Sequence, residues 1–140
     1  MIERSHAEGP SVIARLFALQ GVRPFQLLPP DELAIVAEVA RPRDYAPGEM
    51  VAPGGLPLTH LLVVIAGRIQ APDGSPLGPI VGVASLLRDL SFPRLDAAAP
   101  SGARTLQISK RHFFTLAREC PEFILGLLEI GEAGAYVEKP

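Results

Sequence analysis

The chain has 140 residues, 48% of them hydrophobic, and a formal net charge of −2 at pH 7. That length fits one domain, here 1–140, and that hydrophobic fraction supplies a packed core, which excludes disorder of the whole chain. The slight negative balance argues against an electrostatic nucleic-acid footprint. Cys120 is the only cysteine, so no intrachain disulfide and no Cys-rich zinc site is expected. The longest purely apolar run, Leu61 to Ala66, is far shorter than the roughly 20 residues of a membrane span. The first ten residues show no basic segment followed by an apolar one. A soluble, cytoplasmic protein without membrane contact is the expectation.

From 11 to 40 the pattern is helical. Val12, Ile13, Leu16, Phe17 and Leu19 recur at helical spacing, with Ser11 placed to cap the first turn and Gly21 to end it. Pro29-Pro30-Asp31-Glu32 opens a second helix with Leu33, Ile35, Val36 and Val39 on its apolar side, and Pro42 stops it. Across 41–110, Gly, Pro and Asp interrupt the chain every few residues and leave short apolar runs, the texture of a β-barrel or sandwich. Residues 83–90 break that rhythm with the composition of a short helix. Helices return over 111–131, where Pro121 suits a first turn, and 132–140 read as a frayed tail.

Catalytic and metal-binding patterns are missing. His6, His60 and His112 are widely spaced, which argues against a metal site. His60 reads as a polar strand-end residue and His112 as lying near the start of the C-terminal helix. Cys120 precedes a proline in apolar surroundings, where a buried inert thiol is expected. There is no Gly-x-Ser-x-Gly, P-loop or glycine-rich dinucleotide loop. Neither an enzyme nor a bound cofactor or metal is expected.

The order of helices, strands with one internal helix, and helices again resembles the cyclic nucleotide-binding domain family. Phe25-x-x-Leu28 before Asp31-Glu32-Leu33 is similar to the family's opening helices, and Tyr45-x-Pro47-Gly48-Glu49-x-Val51 to its first strand–turn–strand signature. Gly55, the run Leu61 to Ile69 with Gly67, and Val81-Gly82 with Ala84 to Leu87 resemble the following strands and the phosphate-binding cassette. Phe113-Phe114-x-Leu116 with Pro121 resembles the closing helix. The resemblance implies a mainly β fold with flanking helices, an antiparallel β-roll or jelly-roll barrel like that of the cAMP receptor protein.

It also implies a ligand site, from which this sequence departs. The family places a Glu after the cassette glycine to hold the ribose 2′-hydroxyl, and an Arg about ten residues on to pair with the cyclic phosphate. Here Val83 follows Gly82, and the arginine position falls on Pro93, with Arg94 one residue further. A one-residue shift turns a strand side chain to the other face. Losing two charge-assisted partners at about 1.5–3 kcal/mol each costs several kcal/mol, on the order of a hundredfold to several thousandfold in affinity. The degenerate pocket then consists of Gly82, Val83, Ala84 and Ser85, whose amides face an anion, together with Arg94. Glu at 83 with Arg at 93 is expected to restore part of the affinity.

The chain ends soon after its last helix, so any output is expected to pass through another protein chain, with a homodimer possible. Phe123, Leu127 and Ile130 form one stripe of the last helix, beside Ile124 and Leu128. Two uses compete for that wide apolar face: packing on the strands, or contact with a partner. The expected function is a stand-alone regulatory or protein-interaction module that has lost conventional cyclic nucleotide binding. The alternative is a sensor that takes a cyclic nucleotide or another small anion in a non-standard way.

Overall fold

A computed structural model describes residues 11–134, with side chains through Glu129. His6 and residues 135–140 of the expected tail lie outside the described residues, and so does the side chain of Ile130.

Helix α1 covers Val12–Gln20, and the Ser11 hydroxyl caps it by accepting from the Ala14 N–H at 3.2 Å. A single 3₁₀ turn, Phe25–Leu27, leads to α2 at Pro30–Val39, which starts on a proline with Asp31 and Glu32 in its first turn. The strands follow as β1 Arg41–Tyr45, β2 Met50–Ala52, β3 Leu56–Pro57 and β4 His60–Gly67. Next come β5 Ile69–Gln70, β6 Pro76–Leu77 and β7 Ile80–Val81. Helix α3, Val83–Arg88, interrupts them before β8 Ser91–Phe92, β9 Leu95–Ala97 and β10 Ala103–Ser109. Helices α4, Lys110–Glu119, and α5, Pro121–Gly134, complete the described chain. The internal helix ends at Arg88, before the expected residue 90, because Asp89 turns left-handed at φ 54°. The last helix continues past the expected boundary at 131.

The strands form an antiparallel roll of two four-stranded sheets, β1-β10-β4-β7 and β2-β9-β5-β6, with β3 and β8 paired separately. The sheets do not close into a barrel. Alternation along β4 and β10 explains two cores. Leu61 and Val63 of β4, with Leu106 and Ile108 of β10, face the helices and meet Phe25, Phe113 and Phe123. Leu62, Tyr45 and Ala103 face the other way, into the roll, against Ile69, Leu95 and Ala97 of the second sheet. The central strand is buried on both faces, which is why Leu-Leu-Val-Val-Ile runs without polar alternation. Phe25 and Phe123 stack at 5.0 Å between ring centroids and tie α5 to the N-terminal turn.

Candidate ligand pocket

None of the residues expected to hold an anion lines the two hollows described below. Val83 is 3% exposed and belongs to the helix-side core with Leu86 and Phe113, not to the roll interior. Gly82 adopts φ 110°, and a Cβ there would lie 3.0 Å from Leu58 Cδ1. Leu58 thus lies over the start of α3. Ser85, fully buried, accepts from the Leu58 N–H at 2.8 Å and donates to the Leu90 carbonyl at 2.7 Å. Its hydroxyl joins the 58–60 segment to the end of α3, a structural task. Arg94, just before β9, is exposed and pairs with Asp96 of that strand at 2.9 Å. Ala84 is half-buried.

This geometry sets a cost on one expected substitution. Glu at position 83 would place a carboxylate in an apolar core without a partner, a cost that ligand binding does not return.

A concave site does exist elsewhere, on the roll-facing side of β1 and β10. Antiparallel register places Arg41 opposite Gln107 and Gln107 opposite Leu62, and Arg43 opposite Thr105. Period-two alternation sends Arg41, Arg43 and Tyr45 to one face of β1, while Asp44 turns to the other and pairs with Arg104 at 3.0 Å. A cavity of about 350 Å³ opens there, with Arg43, Tyr45, Thr59, His60 and Gln107 beside Leu56, Leu58 and Leu62. A second hollow of about 410 Å³ adjoins it through His60 and Gln107 and adds Arg41, Ser109, Arg111 and His112.

Hydrogen bonds fix these polar groups. Gln107 Nε2 donates to the Tyr45 hydroxyl at 2.9 Å and to the Thr105 hydroxyl at 3.2 Å, and Thr105 donates to the Arg43 carbonyl. The Arg43 guanidinium sits 4.9 Å from the Tyr45 ring centroid. Burial holds the His60 imidazole below its ordinary pKa, and its Nδ1 meets the Thr59 hydroxyl at 2.9 Å. None of these residues was singled out as a ligand group from the sequence. The legible signal was Arg41-x-Arg43-x-Tyr45, three side chains at strand period in a segment bounded by a proline and a glycine turn.

Cys120 is half-buried and its thiol donates to the Glu32 carboxylate. Burial first, then that carboxylate, push the thiol up to about 11, so it is protonated and unreactive near neutrality. Among the described residues no group of three His, Cys, Asp or Glu side chains is arranged to hold a metal ion, and no helix is long and apolar enough to cross a membrane. On α5, Phe123 and Leu127 are buried in the helix-side core, Ile124 and Leu128 pack half-buried against it, and Leu125 is exposed.

No protein-family model matches the chain, and no curated protein matches it in sequence. Solved structures match it in shape. The sensor domain of the transcriptional regulator DNR from Pseudomonas aeruginosa superposes with a TM-score of 0.67 at 16% identity, over 87% of this chain and 89% of its own. A cAMP-binding acyltransferase from Mycobacterium smegmatis matches at 0.64 and 24% identity, over 87% of this chain and 40% of its own. The regulatory subunit of a cAMP-independent protein kinase A from Trypanosoma cruzi, bound to guanosine, matches at 0.63 and 19% identity, over 88% and 48% respectively. The chain therefore spans most of the sensor domain and less than half of the other two chains. Roll, internal helix and flanking helices agree with these structures, and the chain has the β-roll fold of the cyclic nucleotide-binding domains.

Proposed function

We propose that this chain is a regulatory or protein-interaction module built on the cyclic nucleotide-binding roll, one that does not bind cyclic AMP at the cassette. The observation that carries the reading is the pair of side chains at the ligand positions. Val83 is turned into the helix-side core, and Arg94 is held by Asp96 at the surface. Neither offers the acceptor or the cation that a ribose phosphate needs. A non-enzymatic role is part of this reading, and Cys120, held protonated, offers it no thiolate nucleophile.

The relatives in which this roll is a sensor domain or a regulatory subunit support a regulatory task for it here. Output through another protein chain, or a second copy of this one, fits the large apolar side chains left exposed on the helical side. Ile13 and Phe17 lie one turn apart on α1, and Leu27 is exposed in the 3₁₀ turn. A second reading, a sensor for a different small ligand, is favoured by one observation: the guanosine-bound relative holds a ligand other than a cyclic nucleotide on the same fold.

Titration calorimetry with cyclic AMP and cyclic GMP tests the first reading. We expect dissociation constants weaker than about 0.1 mM. A low-micromolar constant, equivalent to about −8 kcal/mol, overturns it.

A further inference from the structure

The chain carries more acidic than basic residues, 15 against 13, yet the walls of the two adjoining hollows on β1 and β10 contain no carboxylate. They contain Arg41, Arg43 and Arg111 instead. Among the described residues no carboxylate pairs with any of the three; Arg43 leans on the Tyr45 ring, and Arg41 and Arg111 share the 410 Å³ hollow. The nearest acidic residue on β1, Asp44, is turned to the opposite face and already satisfied by Arg104. Alternation along β1 has thus put Arg41 and Arg43 on one side and Asp44 on the other, while Arg111 comes from the first turn of α4.

The adjoining 350 Å³ cavity differs in kind. Buried Leu58 and Leu62 and the exposed Leu56 give it apolar walls, and its polar groups have defined hydrogen-bonding roles. The Tyr45 hydroxyl accepts from Gln107, which leaves its own proton to donate. Both amide hydrogens of Gln107 are committed, which leaves its carbonyl as an acceptor. Apolar walls with a few convergent polar groups, in a volume of a few hundred Å³, are the form of a small-molecule site.

We propose that the inner face of β1 and β10 binds a phosphomonoester carrying a flat apolar group, with the phosphate against Arg41 and Arg111 and the apolar group in the cavity over Leu56, Leu58 and Leu62. Two guanidinium groups on one hollow match a dianion, and planar guanidinium forks suit phosphate oxygens. An acidic peptide would use the arginines but leave the apolar walls uncovered, so a small molecule fits better. None of Gly82 to Ser85, nor Arg94, lines either hollow, and the proposal is independent of whether the cassette takes cyclic AMP.

The test is calorimetry at low ionic strength with AMP, phenyl phosphate, adenosine and a decapeptide of glutamates, on the wild type and on Arg41→Gln, Arg111→Gln and Arg88→Gln. Arg41, Arg111 and Arg88 are exposed, so the variants keep the fold, which circular dichroism checks. AMP and phenyl phosphate are expected to bind, and adenosine much more weakly. Arg41→Gln and Arg111→Gln should each weaken AMP binding at least about tenfold, the size of a lost charge-assisted hydrogen bond. Arg88→Gln, outside the hollows, should change nothing. Failure of both phosphomonoesters to bind, or binding indifferent to Arg41 and Arg111, overturns the proposal. Tighter binding of the peptide than of AMP overturns the small-molecule assignment. Cyclic AMP run in parallel keeps the cassette question separate, since its binding there would not respond to Arg41→Gln.

Discussion

Ser85 holds two hydrogen bonds, one of them to a buried amide. Its hydroxyl accepts from the Leu58 amide and donates to the Leu90 carbonyl, and the residue is fully buried. Ser85→Ala removes both at once and leaves the buried Leu58 donor unmatched, at roughly 1–3 kcal/mol, while the Leu90 carbonyl, on an exposed residue, adds less. We expect a loss of about 2 kcal/mol or more in urea unfolding. A midpoint equal to that of wild type would mean the 58–60 segment is not anchored through this hydroxyl. The exposed Arg94–Asp96 pair contrasts with it: both partners keep access to solvent, and such pairs contribute little. At this position the serine hydroxyl serves the fold.

The roll depends on a close crossing of strand ends. Gly67 ends β4 at φ +72°, and a Cβ on it would lie 2.1 Å from the Gly102 carbonyl oxygen. Gly102, at φ +71°, is as confined, with the Tyr45 carbonyl oxygen 2.6 Å from its own notional Cβ. The Arg68 N–H closes the crossing by donating to the Gly102 carbonyl at 2.9 Å. Gly67→Ala combines left-handed strain with a backbone clash, and about 3 kcal/mol of destabilisation is expected. Gly48 isolates the strain, because it has φ +82° and open space around it. Gly48→Ala should cost about 1 kcal/mol. Equal losses for the two variants in parallel denaturant titrations would show that the strands simply separate to admit the methyl.

At the scale of the molecule, stability should depend on pH through His60. Burial holds its folded pKa below the unfolded value of 6.5, so the folded state resists protonation. The unfolded chain then binds more protons than the folded one as pH falls below that value, and stability declines with it. The contribution is fully present above pH 6.5 and is lost as pH falls through the folded pKa. Melting temperatures measured from pH 7.5 to 5.5 should fall for wild type and fall less for His60→Gln. Parallel curves for the two proteins would remove His60 as the cause.

By itself the sequence determined the element order, the roll and the apolar residue after Gly82, because these rest on local chemistry. Proline and glycine punctuation set the strand ends, Ser11 and Ser109 cap helices, and Val83 is apolar wherever it points. Tertiary structure decided where those side chains point and what they meet. Which core receives Val83, and which hydroxyl anchors Leu58, follow from contacts between residues far apart in the chain. The arginine-lined hollows arise the same way. Arg41 and Arg111 are distant in sequence and share a wall only because β1 pairs antiparallel with β10, whose last residue caps α4. Alternation fixed that Arg41, Arg43 and Tyr45 share a face; only the pairing register fixed what lies opposite them.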